Sequence, residues 1–223
     1  KYDDTLLTDI LKDAASLDAI SQLQILQDQR LLAEGRQISY AAVVPLLTQF
    51  AASKRAVVNT ALYQVAGNLK KFVDPESAEE KQLQAFFNKL SADQVARLGW
   101  TAQKGESNDD QLTRPYVLSA ALYAQNKDAI ADAHKLFATN ADKLAELPAD
   151  TRGFILANEI KHFGNETLFD QLLADYRSTS DASYKNDIRG ALTSTPDTKL
   201  ITKLIGKFED ADTIKPQDLR GWF

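Results

Sequence analysis

The sequence contains no cysteine and no methionine, only nine glycines and six prolines, and two histidines. Without cysteine there is no disulfide and no thiolate metal site, and a reducing, cytoplasmic location is the expectation. No run of about 18 apolar residues occurs, so no segment is expected to span a membrane as a helix, and no membrane partner is expected. A basic excess is also missing. Lys and Arg number 26 against 31 Asp and Glu, for a net charge of −5. The pI is near 5.1. Phosphate backbones are held by basic patches, so nucleic acid is not an expected partner. Scarce glycine and proline leave few tight turns, which favours helices over a many-stranded sheet. The missing methionine has no physical explanation. A start at "KYDD" with no Met leads to the expectation that the natural N-terminus lies elsewhere.

What is present is the composition of an ordinary globular chain, 44% hydrophobic and 26% charged. One apolar spacing recurs: i, i+1, i+4, i+5. It occurs at Leu6, Leu7, Ile10, Leu11, Ala14 and at Val117, Leu118, Ala121, Leu122. It returns at Leu168, Phe169, Leu172, Leu173, Tyr176 and at Leu200, Ile201, Leu204, Ile205, Phe208. Each set forms one stripe on a 3.6-residue helix. Asp74-Pro75-Glu76, Asn165-Glu166-Thr167 and Thr195-Pro196-Asp197 read as helix starts. Gly35 and Gly164 stand where left-handed C-caps belong. Pro45, soon after Ser39, marks a late helix start or a kink. Ten or eleven helices are expected, with no strand beyond the first few residues.

The stripes at Leu168 and Leu200 lie 32 residues apart, and a further step back lands on Leu136-Phe137. A helix pair every 30–40 residues or so marks an α-solenoid. The expected fold is therefore all-α, a right-handed superhelix of antiparallel helix pairs of the HEAT/ARM kind, with an irregular helical bundle as the other reading. The most polar stretch, Thr101–Asp110, is the expected seam, dividing one helical domain (1–223) into 1–104 and 105–223.

No catalytic constellation is legible. There is no GxSxG elbow and no phosphate-cradling glycine loop. His134 sits on or beside an apolar stripe and reads as a core-edge residue. Asn158-Glu159-Ile160-Lys161-His162 resembles a zinc HExxH motif without its first histidine. That chemistry needs two imidazoles one turn apart, and asparagine is a poor substitute. Lys161 and His162 fit better as cations at a helix C-terminus. The acidic pairs Glu79-Glu80 and Asp109-Asp110 read as solvated faces. The sequon at Asn165 is a weak pattern that its capping role explains.

Several segments together resemble one family, the zinc aminopeptidases of the aminopeptidase N type, in their lactic-acid-bacterial form. "KYDDTLLTDIL" resembles the junction where a β-domain hands over to the C-terminal helical domain. "ISQLQILQDQRLLAEGRQISYAAVVPLL" and "LTRPYVLSAALYAQNKDAIADAHKLF" resemble successive helices of that domain. The stretch from "LPADTRGFILANEIKHFG" to "DTKLITKLI" resembles its closing helix pairs, and "IKPQDLRGWF" a step after them. The resemblance covers essentially the whole chain. The family's HExxH zinc motif, its distant glutamate ligand and its GxMEN motif match nothing here, so no catalytic or metal-binding residue is carried over.

The resemblance implies a non-catalytic helical domain whose parent enzyme uses zinc to remove N-terminal residues from peptides. It implies that the domain encloses the active-site cavity and contacts the peptide. The implied partners are the parent's catalytic and β-domains and peptide substrates. Arg114, Arg152 and Arg189 are the candidates to meet a peptide carboxylate, and surface ion pairs are the other reading for them. A free-standing helical-repeat scaffold that binds a protein partner remains the rival function. A zinc motif upstream in the reading frame would decide for the peptidase, and a natural start codon at Lys1 for the scaffold. The closing stretch "EDADTIKPQDLRGWF" looks like a helix start cut short at Trp222-Phe223. It leads to the expectation that further helices follow, and that the chain either self-associates there or frays beyond about Asp210.

The chain by itself should hold no stoichiometric zinc after dialysis and should not hydrolyse aminoacyl anilides. One zinc per chain, or turnover that a chelator abolishes, would contradict this.

Overall fold

The structure, a computed structural model, describes residues 4–222. Among them are eleven α-helices and no strand: α1 (Asp4–Lys12), α2 (Ala19–Glu34), α3 (Val44–Phe50), α4 (Ala56–Asn68), α5 (Ala78–Leu98), α6 (Asn108–Tyr123), α7 (Lys127–Thr139), α8 (Ala149–Phe163), α9 (Glu166–Ser178), α10 (Ala182–Leu192) and α11 (Thr198–Gly206). Short 3₁₀ segments join several of them, among them Tyr40–Ala42, Leu69–Phe72 and Pro216–Trp222. The fold is all-α. A strand in the first residues, and Phe223, lie outside the described residues.

The chain forms two compact units, Lys1–Asn126 and Lys127–Phe223. In the first, α4 packs against α2 and α6, and α5 lies along α6. Its core includes Leu26, Val43, Leu47, Leu62 and Val117, all without solvent exposure. The polar stretch Thr101–Asp110 belongs to this unit and links α5 to α6, where Asp110 meets Arg97. In the second unit, α8 packs against α7 and α10, and α10 against α9. Leu156, Phe169, Leu172, Ile188 and Leu192 are among its fully buried side chains. Each unit encloses one tryptophan, Trp100 in the first and Trp222 in the second, both 6% exposed.

The apolar stripes turn mostly toward these cores, although Leu6 of α1 is 49% exposed. All five stripe residues of α9 are buried. On α11, Leu200 and Leu204 are buried while Ile201 and Ile205 stand out at 39% and 56% exposure. Helix starts follow local chemistry. Asn165 accepts the amide of Leu168, as an N-cap should. Two other starts shift. α5 begins after Ser77, not at Asp74, because Ser77 accepts the Glu80 amide while the Glu80 carboxylate takes the Glu76 amide. The cap thus lies three residues downstream of Asp74, where the Asp74 carbonyl takes the Ser77 amide and Glu76 turns the chain with a φ of 64°. α11 is capped by Asp197 rather than Thr195, whose hydroxyl instead accepts the Asp197 amide. Pro45 falls in the first turn of α3, a late start and not a kink.

Neither glycine expected as a left-handed cap is left-handed. Gly35 has φ −77° and Gly164 φ −64°. After α2 the left-handed residue is Arg36, at φ 57°. There the Gln37 amide reaches back to the Leu32 carbonyl and the Arg36 amide to that of Ala33. Gly164 is needed for closeness instead: a Cβ there would lie 2.3 Å from the Ile160 carbonyl oxygen. The tail is not frayed beyond Asp210. The Asp210 carboxylate accepts the Thr213 hydroxyl, and Ile214 is 1% exposed. Pro216–Trp222 is a 3₁₀ helix whose Trp222 ring meets Tyr176 and Phe208. Three apolar rings in contact outweigh the freedom of so short a segment.

Gly164→Ala should destabilise the protein by about 1–3 kcal/mol, because a backbone carbonyl has to move. Arg36→Gly should stabilise it by roughly 1 kcal/mol by removing the left-handed penalty. Paired denaturant melts of the two variants check both signs.

Candidate functional site

The three arginines occupy different environments. Arg114, on α6, is 1% exposed and pairs with the buried carboxylate of Glu106. Its Nε and Nη2 also point to the Leu98 carbonyl at the end of α5. Arg152, on α8, is equally enclosed. Its Nε donates to Asp187 at 2.6 Å, its Nη1 to the Ala145 carbonyl at 2.7 Å and its Nη2 to the Ser183 hydroxyl at 3.2 Å. Its guanidinium lies 5.0 Å from the Tyr184 ring centre. Gly153 makes room for this arrangement, since a Cβ there would fall 2.8 Å from Asp187 Oδ1. Burial pushes the Asp187 carboxyl above its ordinary value, against the Arg152 hydrogen bond and charge that pull it down. Arg114 and Arg152 are thus interior ion pairs, neither solvent-facing clamps nor surface pairs.

Arg189, on α10, is partly exposed. Its guanidinium rests on the tail backbone: a Cβ on Gly221 would lie 2.2 Å from Arg189 Nη1. Arg114 belongs to the first unit, Arg152 and Arg189 to the second.

The residues that resemble a zinc motif do other work. Asn158 donates to the Ile130 carbonyl at 3.2 Å. The Glu159 carboxylate, 7% exposed, faces His134 Nδ1 at 2.8 Å. The His134 ring stacks on Phe163 with centroids 4.0 Å apart, tying α7 to α8. His162 stands in the last turn of α8. Its imidazole is held below its ordinary value, first by burial and then by the charge of Lys161. Among the described residues no three His, Cys, Asp or Glu side chains are grouped to hold a metal ion. The residues present do not fit a zinc site, and no chemistry is routed through one in this chain.

Two concavities in the first unit escaped sequence reasoning. One is lined by Phe86, Lys89, Gln94 and Arg97 among others. The other lies between the end of α2 and the 3₁₀ segment Leu69–Phe72, with Arg36, Tyr40, Lys71 and Phe72 on its walls. Tyr40 and Phe72 meet only in the folded chain, so no local pattern announces them. Among the described residues no helix is long and apolar enough to cross a membrane.

The family model described as the ERAP1-like C-terminal domain matches residues 1–223. The chain is 54% identical to Aminopeptidase N of Lactobacillus helveticus over 223 residues, all of this chain and 26% of that protein. It is 51% identical to Aminopeptidase N of Lactobacillus delbrueckii subsp. lactis, again over all of this chain and 26% of the relative. Aminopeptidase M1 of Arabidopsis thaliana is 28% identical over 98% of this chain and 26% of its own length. The chain therefore spans about a quarter of each of these curated relatives, 26% in every case.

Arg152→Ala should cost about 3–5 kcal/mol, because the largely enclosed Asp187 is left without its cation. The double change Arg152→Met with Asp187→Leu should recover much of that loss in the same melts. His162 has a lowered folded value, so its contribution is present above the ordinary 6.5 and is lost as pH falls through the folded value. His162→Gln should remove that part of the acid destabilisation, as read from melting temperature against pH.

Proposed function

Because the chain belongs to the ERAP1-like C-terminal domain family, we propose that it is the non-catalytic C-terminal helical domain of a zinc aminopeptidase that removes N-terminal residues from peptides. The match along all 223 residues carries this reading. Relatives named Aminopeptidase N, 54% and 51% identical, support it. The zinc and the hydrolytic groups belong to the rest of the parent enzyme, whose catalytic and β-domains are this chain's partners, in the cytoplasm. The helical domain, a superhelix of helix pairs, walls off the active-site cavity, excludes water and restricts entry to peptides. A free-standing scaffold is the weaker reading, since it gives no reason for whole-length similarity to parts of aminopeptidases.

Within this reading the candidates for substrate contact are reduced. Arg114 and Arg152 are spent on interior pairs. Arg189 is itself only partly buried and is the one left to meet the carboxylate of a long peptide.

In the intact enzyme, Arg189→Ala should raise KM for long peptides several-fold, up to roughly tenfold, while leaving aminoacyl anilides unaffected. Steady-state kinetics on both substrate classes, with melting temperature alongside, make the test. Equal effects on both classes, or a change that merely follows lost stability, would reject contact. An intact protein without chelator-sensitive aminopeptidase activity would reject the peptidase reading itself.

A further inference from the structure

We propose that the groove between the end of α2 and the 3₁₀ segment Leu69–Phe72 docks an extended, acidic peptide segment of a partner chain that carries apolar side chains between its carboxylates. The concavity has a volume of about 640 Å³. One wall is aromatic: the Tyr40 and Phe72 rings pack with centroids 5.2 Å apart. Phe72 nevertheless remains 65% exposed. A phenylalanine so exposed inside a concavity is an apolar surface for a ligand.

The charges decide what kind of ligand. Arg36, Lys71 and Glu34 line the groove. Glu34 is already neutralised, its two carboxylate oxygens held by Arg30 Nη1 at 2.8 and 3.0 Å. Arg36 and Lys71 have no carboxylate partner among the described residues. The groove therefore presents two uncompensated cations on a chain whose net charge is −5. The carbonyls of Leu31, Leu32 and Ala33 are taken by the amides of Gly35, Gln37 and Arg36, so these three need no cation. An anion is the complement. The aromatic wall asks for an apolar group beside it, and the side-chain amides of Gln37 and Asn68 in the lining suit a peptide backbone. A segment alternating acidic and apolar residues meets all three demands. This assignment stands apart from the peptidase reading and from Arg189.

The test uses the intact protein and a short peptide of alternating Asp and Phe. Fluorescein blocks its N-terminus, so that aminopeptidase activity cannot consume it. Fluorescence anisotropy should show saturable binding that weakens with added salt. Arg36→Gly and Lys71→Gln should each weaken it roughly tenfold, the loss of one charge-assisted contact. Arg36→Gly suits the left-handed backbone, so the cation goes without unfolding the loop, and an unchanged or raised melting temperature verifies this. Phe72→Ala should weaken binding as well, and a probe with Lys in place of Asp should not bind. Absence of saturable binding, indifference to both charge variants, or equal binding of the Lys probe would overturn the proposal. So would a dimer in sedimentation that Arg36→Gly converts to monomer, which would make a second copy the occupant. Protection of Lys71 from acetylation in the intact protein would overturn it too, by showing that the parent's own domains cover the groove.

Discussion

Each compact unit closes around one buried arginine. In the first, Arg114 binds Glu106 and the carbonyl at the end of α5, holding the joint between α5 and α6. In the second, Arg152 binds Asp187 and Ser183 of α10 and the Ala145 carbonyl before α8. These are the joints of helix pairs that pack most extensively in their units. Apolar contacts supply most of the stabilisation there, but they are non-directional and tolerate sliding. A buried guanidinium does not, because every displaced donor becomes an unpaired charge in a medium of low polarity. The arginines thus add little net stability for their desolvation, yet they penalise alternative helix registers heavily.

Elsewhere the same chain uses weaker devices. The Ala56 amide at the start of α4 is capped from a distance by Asp109, at the start of α6, at 2.8 Å. Lys203 on α11 reaches both Glu166 and Asp170 on α9. These contacts are partly or largely exposed and solvent weakens them. They trim the edges of helix pairs that the cores and the two arginines already fix.

The helices were legible in the sequence because their signals are local. A stripe such as Leu168, Phe169, Leu172, Leu173, Tyr176 fixes both a helix and its buried face, and Asn165 caps it within three residues. Errors arose where two local signals competed. Asp74-Pro75-Glu76 has the form of a helix start, but the Ser77 cap and the Glu80 carboxylate on the Glu76 amide outcompete it. Gly35 draws attention as a cap, yet its neighbour Arg36 takes the left-handed conformation. The family resemblance was readable because it sums many soft helical patterns in order. The roles of Arg114 and Arg152 were not. Whether an arginine is buried depends on a partner that sequence distance hides: Asp187 comes 35 residues after Arg152. The groove was hidden for the same reason, since Tyr40 and Phe72 belong to separate elements.

The two tryptophans have a practical corollary. Trp100 reports on one compact unit and Trp222 on the other, each shielded from water. With no further indole in the chain, intrinsic fluorescence is a two-channel signal. Replacing either residue by phenylalanine silences one channel and leaves the other readable. Whether the two halves of this molecule melt as a single cooperative body or in succession is thereby an optical question, open to an instrument that sees nothing but emission wavelength.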